Sequence, residues 1–469
     1  MARPAWGCVT PPLSIFSPRS GLYTERVRTQ KIHFSVAAML DGGQRRYDPS
    51  LEVLGGGLDS YLPAFKTLNR PYDAFPVVGW NRHVETIFAS FFRSVPDVRL
   101  RRECLRTKDD GAVALDWVSG DDRQLGADSP VLILLPGLTG GSEDSYVRHM
   151  LVRARSNGMR VVVFNSRGCA DSPVTTAQFY SASFTEDLRQ VVAHVSNRYP
   201  NANLYAVGWS LGANILVRSV MNALTVASFM HNVKLEGDTT RSSECFRGAQ
   251  SAMKPRMLRW ISDNIRKESH ACPLSGAVSL CNPFNLVIAD EDFRKGFNIV
   301  YDITLANALR KIFKKHILLF EDIGGEFNIP LAANAKSVRE FDDGLTRVSF
   351  GFKSVDDYYS NSSSSDSIKH VCTPLLCIQA ANDPIAPSRG IPREDIKENP
   401  NCLLIVTPKG GHLGWVSGPE APRGAPWTDP VVMDFLEHLE RGRSKVIASS
   451  SESDTVQLCT EGLRHLKCG

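Results

Sequence analysis

The sequence predicts an α/β fold with a mostly parallel central sheet and helices on both faces. Continuous apolar runs typical of buried strands recur along the chain, at 130–135, 160–164, 204–207, 374–379 and 402–406. Helix-forming stretches alternate with these runs, as expected for parallel strands joined by crossover helices. Residues 98–107 and 112–118 are predicted to form a hairpin that opens the sheet.

Two helices have clear sequence signals at their starts. Residues 185–198 are predicted to be helical, with Glu186 and Asp187 in the first turn, where acidic side chains favour the helix dipole. A last helix is predicted to begin at Thr428 or Asp429, with Pro430 near its start, and to end at about residue 441.

Composition narrows the class of protein. The chain has 469 residues, of which 42% are hydrophobic, which is ample for one large domain with additions. Lys and Arg total 54 against 50 acids, and this net charge of +4 makes no case for a nucleic-acid partner. No run approaches the ~18 apolar residues of a spanning helix, so we expect no transmembrane anchor.

The eleven cysteines are scattered, without C-x-x-C pairs or zinc-like spacing. Cys281, Cys377 and Cys402 fall in strand-like runs, which favours buried reduced thiols and a cytoplasmic or chloroplast location. We expect no metal and no cofactor.

The most informative motif is Gly208-Trp-Ser-Leu-Gly212, between an apolar strand and a helix-forming stretch. This arrangement is typical of a nucleophile elbow, in which two glycines permit a tight turn and the serine hydroxyl is exposed. Alone, the pattern is also compatible with an ordinary turn serine. The strand before it and the helix after it favour Ser210 as the catalytic nucleophile.

A nucleophilic serine needs a histidine base and a carboxylate that orients it. His412 is the best base, because it lies in a Gly-rich loop just after the strand at 402–406. His83 and His316 remain alternatives. Asp383 is the predicted acid, since it follows the strand at 374–379, and its order after Ser210 and before His412 fits the hydrolase pattern. The nearest competitors for the acid are Asp356 and Asp357, which lie in a polar stretch.

An oxyanion hole should use the backbone N–H after the nucleophile and another from an earlier strand-end loop. The first is that of Leu211. The second is predicted to be that of Leu138, in the Gly-rich loop 136–142 after the strand at 130–135. A phosphate-binding loop is disfavoured because no Gly-Lys-Ser/Thr follows.

Several segments together resemble the α/β-hydrolase superfamily, namely 79–93, 135–142, 164–169, 208–214, 382–384 and 411–415. Within it, the chain is similar to the group of plant embryogenesis-associated hydrolases, yeast medium-chain fatty acid ethyl ester synthase/esterases and animal phospholipase-like hydrolases. The resemblance spans roughly 62–441. It implies an α/β-hydrolase fold and an ester hydrolase acting on acyl lipids, with Ser210, Asp383 and His412 at the triad positions.

The resulting hypothesis is a carboxylesterase or acylglycerol lipase-like enzyme, which acts on small-molecule or lipid esters and is expected to be a monomer. Two alternatives remain open. The same triad could transfer the acyl group to an alcohol, as an ester synthase does. The chain could instead be a catalytically impaired binding protein with a hydrolase fold.

The hydrolase domain is predicted at 61–443, with two internal features. Residues 219–270 form an atypical insertion rich in Lys and Arg, which we interpret as an unusual splice or gene-model product or as a disordered surface excursion. Residues 284–370 are helical in pattern and rich in aromatic residues, as expected of a cap. Within that region, 361–365 is predicted to be a flexible loop.

The two ends of the chain are expected to lie outside the domain. Residues 1–60 are predicted to be a leader. Its first 23 residues contain no acid and resemble a transit peptide, with an untargeted flexible leader as the alternative. Residues 444–469 are predicted to be a disordered tail.

Overall fold

The computed structural model describes residues 48–221, 272–321 and 326–442. In these residues a nine-stranded sheet has the order β1-β9-β8-β7-β6-β4-β5-β3-β2. The strands are β1 (Glu52–Leu54), β2 (Leu100–Arg106), β3 (Ala112–Val118), β4 (Val131–Leu135), β5 (Arg160–Asn165), β6 (Leu204–Trp209), β7 (Leu274–Leu280), β8 (Leu375–Ala380) and β9 (Cys402–Thr407).

Strands β4 to β9 pair in parallel, whereas β1 pairs antiparallel with β9, and β3 pairs antiparallel with β2 and β5. The mostly parallel sheet and its opening hairpin are therefore confirmed. Successive residues of β4 from Val131 to Leu134 are all fully buried, so both faces of this strand are covered.

Helices connect and cover the strands. Those before the cap region are α1 (Leu58–Tyr61), α2 (Arg82–Phe91), α3 (Asp121–Gln124), α4 (Ser145–Ser156), α5 (Glu186–Arg198) and α6 (Leu211–Ser219). Those from the cap region onward are α7 (Leu286–Phe293), α8 (Asn298–Lys315), α9 (Leu318–Glu321), α10 (Ile329–Asn334), α11 (Val338–Phe341), α12 (Arg347–Ser349), α13 (Val355–Ser362), α14 (Arg393–Glu398) and α15 (428–442). Helices α5 and α15 match the two predicted from their starting residues.

The cap region between β7 and β8 has an apolar core of its own. Phe179, from before α5, packs there with Phe313, Phe320 and Phe341 of the cap. The ring centroids of Phe179 and Phe320 lie 5.3 Å apart, and those of Phe313 and Phe320 lie 5.4 Å apart. The aromatic residues thus hold the cap together and join it to the rest of the domain.

The flexible loop predicted at 361–365 is wrong. Residues 361 and 362 belong to α13, and Ser362, Ser363 and Ser364 are buried. The Ser363 hydroxyl accepts the Leu286 N–H at 2.9 Å, and the Ser364 hydroxyl accepts from the Asn282 amide at 3.2 Å. Serines that look like a linker in the sequence therefore bind the polar groups at the base of the cap.

The prediction that residues 1–60 form a leader is wrong for residues 52–54, which form a strand of the sheet. Strand β1 lies inside that range and pairs with β9, with Val53 opposite Ile405. The domain therefore begins before residue 61. The remainder of the leader (1–47), residues 222–270 of the insertion predicted at 219–270, and the predicted tail (444–469) lie outside the described residues.

The described residues also bear on the predictions of reduced thiols and of no transmembrane anchor. The seven cysteines described are all free, and Cys281, Cys377 and Cys402 are buried. This agrees with the prediction of reduced thiols for that part of the chain. None of the helices in the same residues is both long and apolar enough to cross a bilayer.

Candidate active site

Ser210 lies between β6 and α6 with φ of 52° and ψ of −118°, a strained conformation for a residue with a side chain. A Cβ at position 208 would come within 2.7 Å of the Gly212 carbonyl oxygen. One at position 212 would come within 2.3 Å of the Leu135 carbonyl oxygen. Only glycine fits at either position, which gives the physical reason for the motif around the serine.

The loop after β4 lies directly beside Ser210, because a Cβ at Gly137 would lie 3.2 Å from the Ser210 Cβ. Most backbone N–H groups of this loop already have acceptors. The Gly137 N–H donates to the Tyr146 hydroxyl at 3.0 Å, and the Thr139 N–H donates to the Tyr180 hydroxyl at 2.8 Å. The Gly140 N–H donates to the Gly137 carbonyl.

The Leu138 N–H is different. Among the described residues it has no hydrogen-bond acceptor, and neither does the N–H of Leu211 at the start of α6. The first N–H groups of a helix have no acceptor within the helix. Both donors predicted for an oxyanion hole therefore lack an acceptor among the described residues and are available beside Ser210.

The tyrosines that bind this loop are buried side chains. Burial raises the pKa of both Tyr146 and Tyr180 well above the usual value, so both phenols stay protonated. Tyr146 also packs against Trp209, with ring centroids 5.2 Å apart. The loop is thus held from α4 on one side and from the segment before α5 on the other.

Asp383 and His412 are in direct contact. The His412 Nδ1–H donates to the Asp383 Oδ2 at 2.9 Å and to Oδ1 at 3.1 Å. Oδ1 also accepts the N–H groups of Ile385 and Ala386, at 2.7 and 2.8 Å. Both side chains are buried, so the pair is fixed in orientation and shielded from water.

The other nitrogen of the imidazole remains available. Both hydrogen bonds of the ring within the described residues involve Nδ1, which leaves Nε2 for a substrate or the serine. Cys281, directly after β7, is buried, and the carbonyl of the preceding Leu280 accepts the Ser210 N–H at 2.9 Å. Burial raises the pKa of the Cys281 thiol well above its usual value, so it stays neutral.

Helix α2 holds the histidine loop, a role that sequence reasoning missed. The Thr86 hydroxyl accepts the His412 N–H at 2.9 Å and donates to the Arg82 carbonyl at 2.7 Å. A Cβ at Gly411, which has φ of 54°, would lie 2.5 Å from the same hydroxyl oxygen. The contact therefore needs the hydroxyl of Thr86 and a residue without a side chain at position 411.

Two buried charged residues, Glu85 and Arg93, also hold the histidine loop in place. Arg93 donates to the carbonyl oxygens of Leu413, at 2.9 Å, and of Gly414, while the Glu85 Oε1 accepts the Val416 N–H at 2.9 Å. Burial raises the pKa of Glu85 against the opposing effect of Arg93, and burial lowers the pKa of Arg93 to about 10. Thr86, Glu85 and Arg93 all lie in segment 79–93. The resemblance of this segment to the family was the only sequence signal for them.

The alternative site residues have other surroundings. His83 Nδ1 contacts the Tyr301 hydroxyl at 3.1 Å, and His316 packs against Phe179. Neither forms a hydrogen bond to a carboxylate within the described residues. Asp356 and Asp357 lie in the first turn of α13, and Asp356 pairs with Arg339 on the surface.

The contact between Thr86 and His412 can be tested by removing one hydroxyl. Thr86→Val keeps the volume but leaves the buried His412 N–H without an acceptor, at a cost of about 1–3 kcal/mol. If the lost contact lets the histidine loop move, kcat/KM for a soluble aryl ester should fall about tenfold. The measurement is steady-state kinetics alongside thermal unfolding.

Thr86→Ser is the matched control, since it keeps the hydroxyl and loses only a methyl group. It should retain close to wild-type kcat/KM. Equal losses in both variants would show that the hydroxyl is not what positions His412.

Comparison with known proteins shows the family to which the chain belongs. The model of the alpha/beta hydrolase fold family matches residues 130–223, which include the Leu138 loop and the elbow. The embryogenesis-associated protein EMB8 of Picea glauca is 61% identical over 408 residues, covering 85% of this chain and 79% of that protein. Phospholipase ABHD3 of Mus musculus is 31% identical over 364 residues, covering 77% of each chain.

A more distant relative is the monoacylglycerol lipase of Saccharomyces cerevisiae, 30% identical over 310 residues, covering 64% of this chain and 58% of that protein. The similarity to the first two relatives extends far beyond the elbow, over most of each chain. The resemblance inferred from short motifs is thereby confirmed, and the chain belongs to the α/β-hydrolase family, in the group that contains EMB8 and ABHD3.

Proposed function

We propose that the chain is a serine carboxylic ester hydrolase. Ser210 is the nucleophile, His412 the general base and acid, and Asp383 the carboxylate that orients the histidine. The backbone N–H groups of Leu138 and Leu211 form the oxyanion hole. The substrates are short- or medium-chain acyl esters or acylglycerol-type lipids.

The observation that carries this proposal is the buried contact between Asp383 and His412, at 2.9 Å. It joins residues from the ends of β8 and β9, two strands that lie on the same side of β6 in the sheet. The carboxyl ends of parallel strands meet at one edge, where the elbow also lies. A carboxylate bound to Nδ1 selects the tautomer whose Nε2 can accept a proton.

The reaction begins when His412 Nε2 takes the proton of the Ser210 hydroxyl as its oxygen attacks the ester carbonyl. The negative oxygen of the tetrahedral intermediate accepts from the Leu138 and Leu211 N–H groups. Loss of one such donor typically lowers the rate about 10²- to 10³-fold. The bond to the leaving alcohol then breaks, and His412 donates the proton to that alcohol.

Water completes the cycle. His412 takes a proton from the water as it attacks the acyl group on Ser210, and a second tetrahedral intermediate forms in the same oxyanion hole. Its collapse returns the proton to Ser210 and releases the carboxylic acid. The enzyme is thereby returned to its starting state.

Acyl substrates are supported by the surroundings of the oxyanion loop and by the names of relatives. Leu138 packs against the apolar cluster of the cap that contains Phe179, Phe313 and Phe341. An acyl chain next to the oxyanion hole would meet the same side chains. Two relatives are named as a phospholipase and a monoacylglycerol lipase, which favours a lipid ester as substrate.

A fluorophosphonate probe tests the proposal directly, because it forms a covalent bond only with an activated serine. The full chain should be labelled, and peptide mass spectrometry should find the adduct on Ser210. Ser210→Ala should not be labelled. Ser156→Ala, which changes an exposed serine of α4, should be labelled like the wild type.

The alternatives give different results in the same system. A binding protein with an inactive triad would show no labelling of Ser210 despite a folded domain. An ester synthase would be labelled and, with ethanol present, would form ethyl ester in place of most of the free acid. Hydrolysis to free acid as the main product supports the proposed function.

A further inference from the structure

A group of exposed apolar side chains lies beside α2, the helix that holds the histidine loop. In α8, Ile299, Val300 and Ile303 are each 44–47% exposed, although they belong to a helix that packs against the domain. Tyr301, between them in sequence, is buried, and its hydroxyl contacts Nδ1 of His83 at 3.1 Å, on the same helix, α2, as the Thr86 that holds His412. The apolar start of α8 therefore lies next to the support of the histidine loop.

Helix α2 and the residues before it continue this surface. The His83 ring lies 4.7 Å from the ring of Phe297, which joins the two segments. Trp80 is 65% exposed, Phe297 is 48% exposed, and Val84 is also exposed. We call these six side chains the apolar rim: Trp80, Val84, Phe297, Ile299, Val300 and Ile303.

A single exposed apolar residue needs no explanation, but a contiguous group is typical of an interaction site. The rim includes a tryptophan and a phenylalanine, which bury large areas on contact. Nothing in the described residues covers these side chains. Their exposure therefore indicates a partner that is not part of the described domain.

The other end of the exposed face of α8 is basic. Residues 299, 303, 307 and 311 are spaced by four and share one face of the helix, which begins apolar and ends at lysines. Lys311 and Lys314 are exposed and form no ion pair with any described residue, and they line an open groove of about 380 Å³. The single acid of α8, Asp302, is buried and accepts the Val338 N–H.

We infer that this face binds the surface of an anionic phospholipid aggregate. The apolar rim enters the boundary between headgroups and acyl chains, while Lys311 and Lys314 lie over the anionic headgroups. Lysine is depleted in protein–protein interfaces, which favours a lipid surface over a protein partner. The inference rests on the proposed function, because it explains how the site would meet a lipid ester in a membrane.

Vesicle flotation tests the inference with the full chain carrying Ser210→Ala, so that no lipid is consumed. The vesicles contain phosphatidylcholine alone or phosphatidylcholine with phosphatidylglycerol. The protein should float with the mixed vesicles and much less with the neutral ones. Added Lys311→Glu and Lys314→Glu should weaken binding to the mixed vesicles at least about tenfold, since each lysine contributes to attraction by the surface.

The apolar rim is tested by Ile299→Ser and Ile303→Ser, which should also weaken binding at least about tenfold by removing buried apolar area. Two controls match these changes elsewhere on the surface. Lys353→Glu with Lys369→Glu reverses two exposed lysines outside α8, and Val152→Ser changes a valine of α4 that is 42% exposed. Both controls should bind like the parent protein.

Equal loss of binding in the controls, or no binding to either vesicle, would overturn the inference. So would a dimer in light scattering that Ile299→Ser and Ile303→Ser convert to a monomer, because a second copy would then cover the rim. Hydrolysis of a soluble aryl ester by proteins with Ser210 intact separates the two proposals. If that ester is hydrolysed and vesicles are not bound, only the lipid-surface inference fails.

Discussion

Replacing Ser210 by alanine should lower kcat/KM for short- and medium-chain aryl esters about 10⁵- to 10⁶-fold, as removal of a triad serine does elsewhere. The change removes only the hydroxyl oxygen. Ser210 makes no side-chain hydrogen bond that caps α6, so the helix should not depend on it. Initial rates with nitrophenyl esters of increasing chain length measure the effect.

The fold of the Ser210→Ala variant should be intact. Far-UV circular dichroism and the unfolding midpoint should match those of the wild type. Ser156→Ala provides the control for an unrelated serine and should keep full activity. Unchanged turnover in Ser210→Ala would remove the nucleophile from this assignment.

Asp383→Asn should lower kcat about 10⁴-fold, the size of effect seen when a triad aspartate becomes an amide. The structure gives a specific reason. Asp383 Oδ1 accepts two backbone N–H groups, so the amide oxygen of the variant should occupy that position. The amide NH₂ would then face His412 Nδ1, where Oδ2 now accepts at 2.9 Å. The imidazole would carry its proton on Nε2 and could not take one from Ser210.

Kinetics of Asp356→Asn provide the matched control, because this residue was a competitor for the acid in the sequence. Asp356 is exposed and pairs with Arg339, and surface ion pairs contribute about 0–1 kcal/mol. Its variant should keep nearly full activity. A larger loss in Asp356→Asn than in Asp383→Asn would show that the acid had been assigned wrongly.

The strands that position the site were predictable because each is buried on both faces. Such strands must be short, continuous apolar runs, and those of β4, β6, β8 and β9 were found within one or two residues. The elbow was predictable for a related reason. Two glycines that flank a serine, between a strand and a helix, indicate the tight turn of a nucleophile elbow.

Other parts of the site have no local signal. Glu85, Thr86 and Arg93 contact a loop more than 300 residues later in the chain, and their side chains look like those of any helix. Ser362 to Ser364 look like a linker because serine is common in linkers. Their burial depends on Asn282 and Leu286, which reach them only in the folded domain.

The sequence by itself determined the fold class, the strand order in the chain and three candidate residues at strand ends, because burial and tight turns restrict residue type locally. Only the tertiary structure decided that Asp383 contacts His412, that the Leu138 N–H is left free beside Ser210, and that α2 holds the histidine loop. These are contacts between distant segments. Their distances depend on how helices and loops pack around the sheet, which no short stretch of sequence encodes.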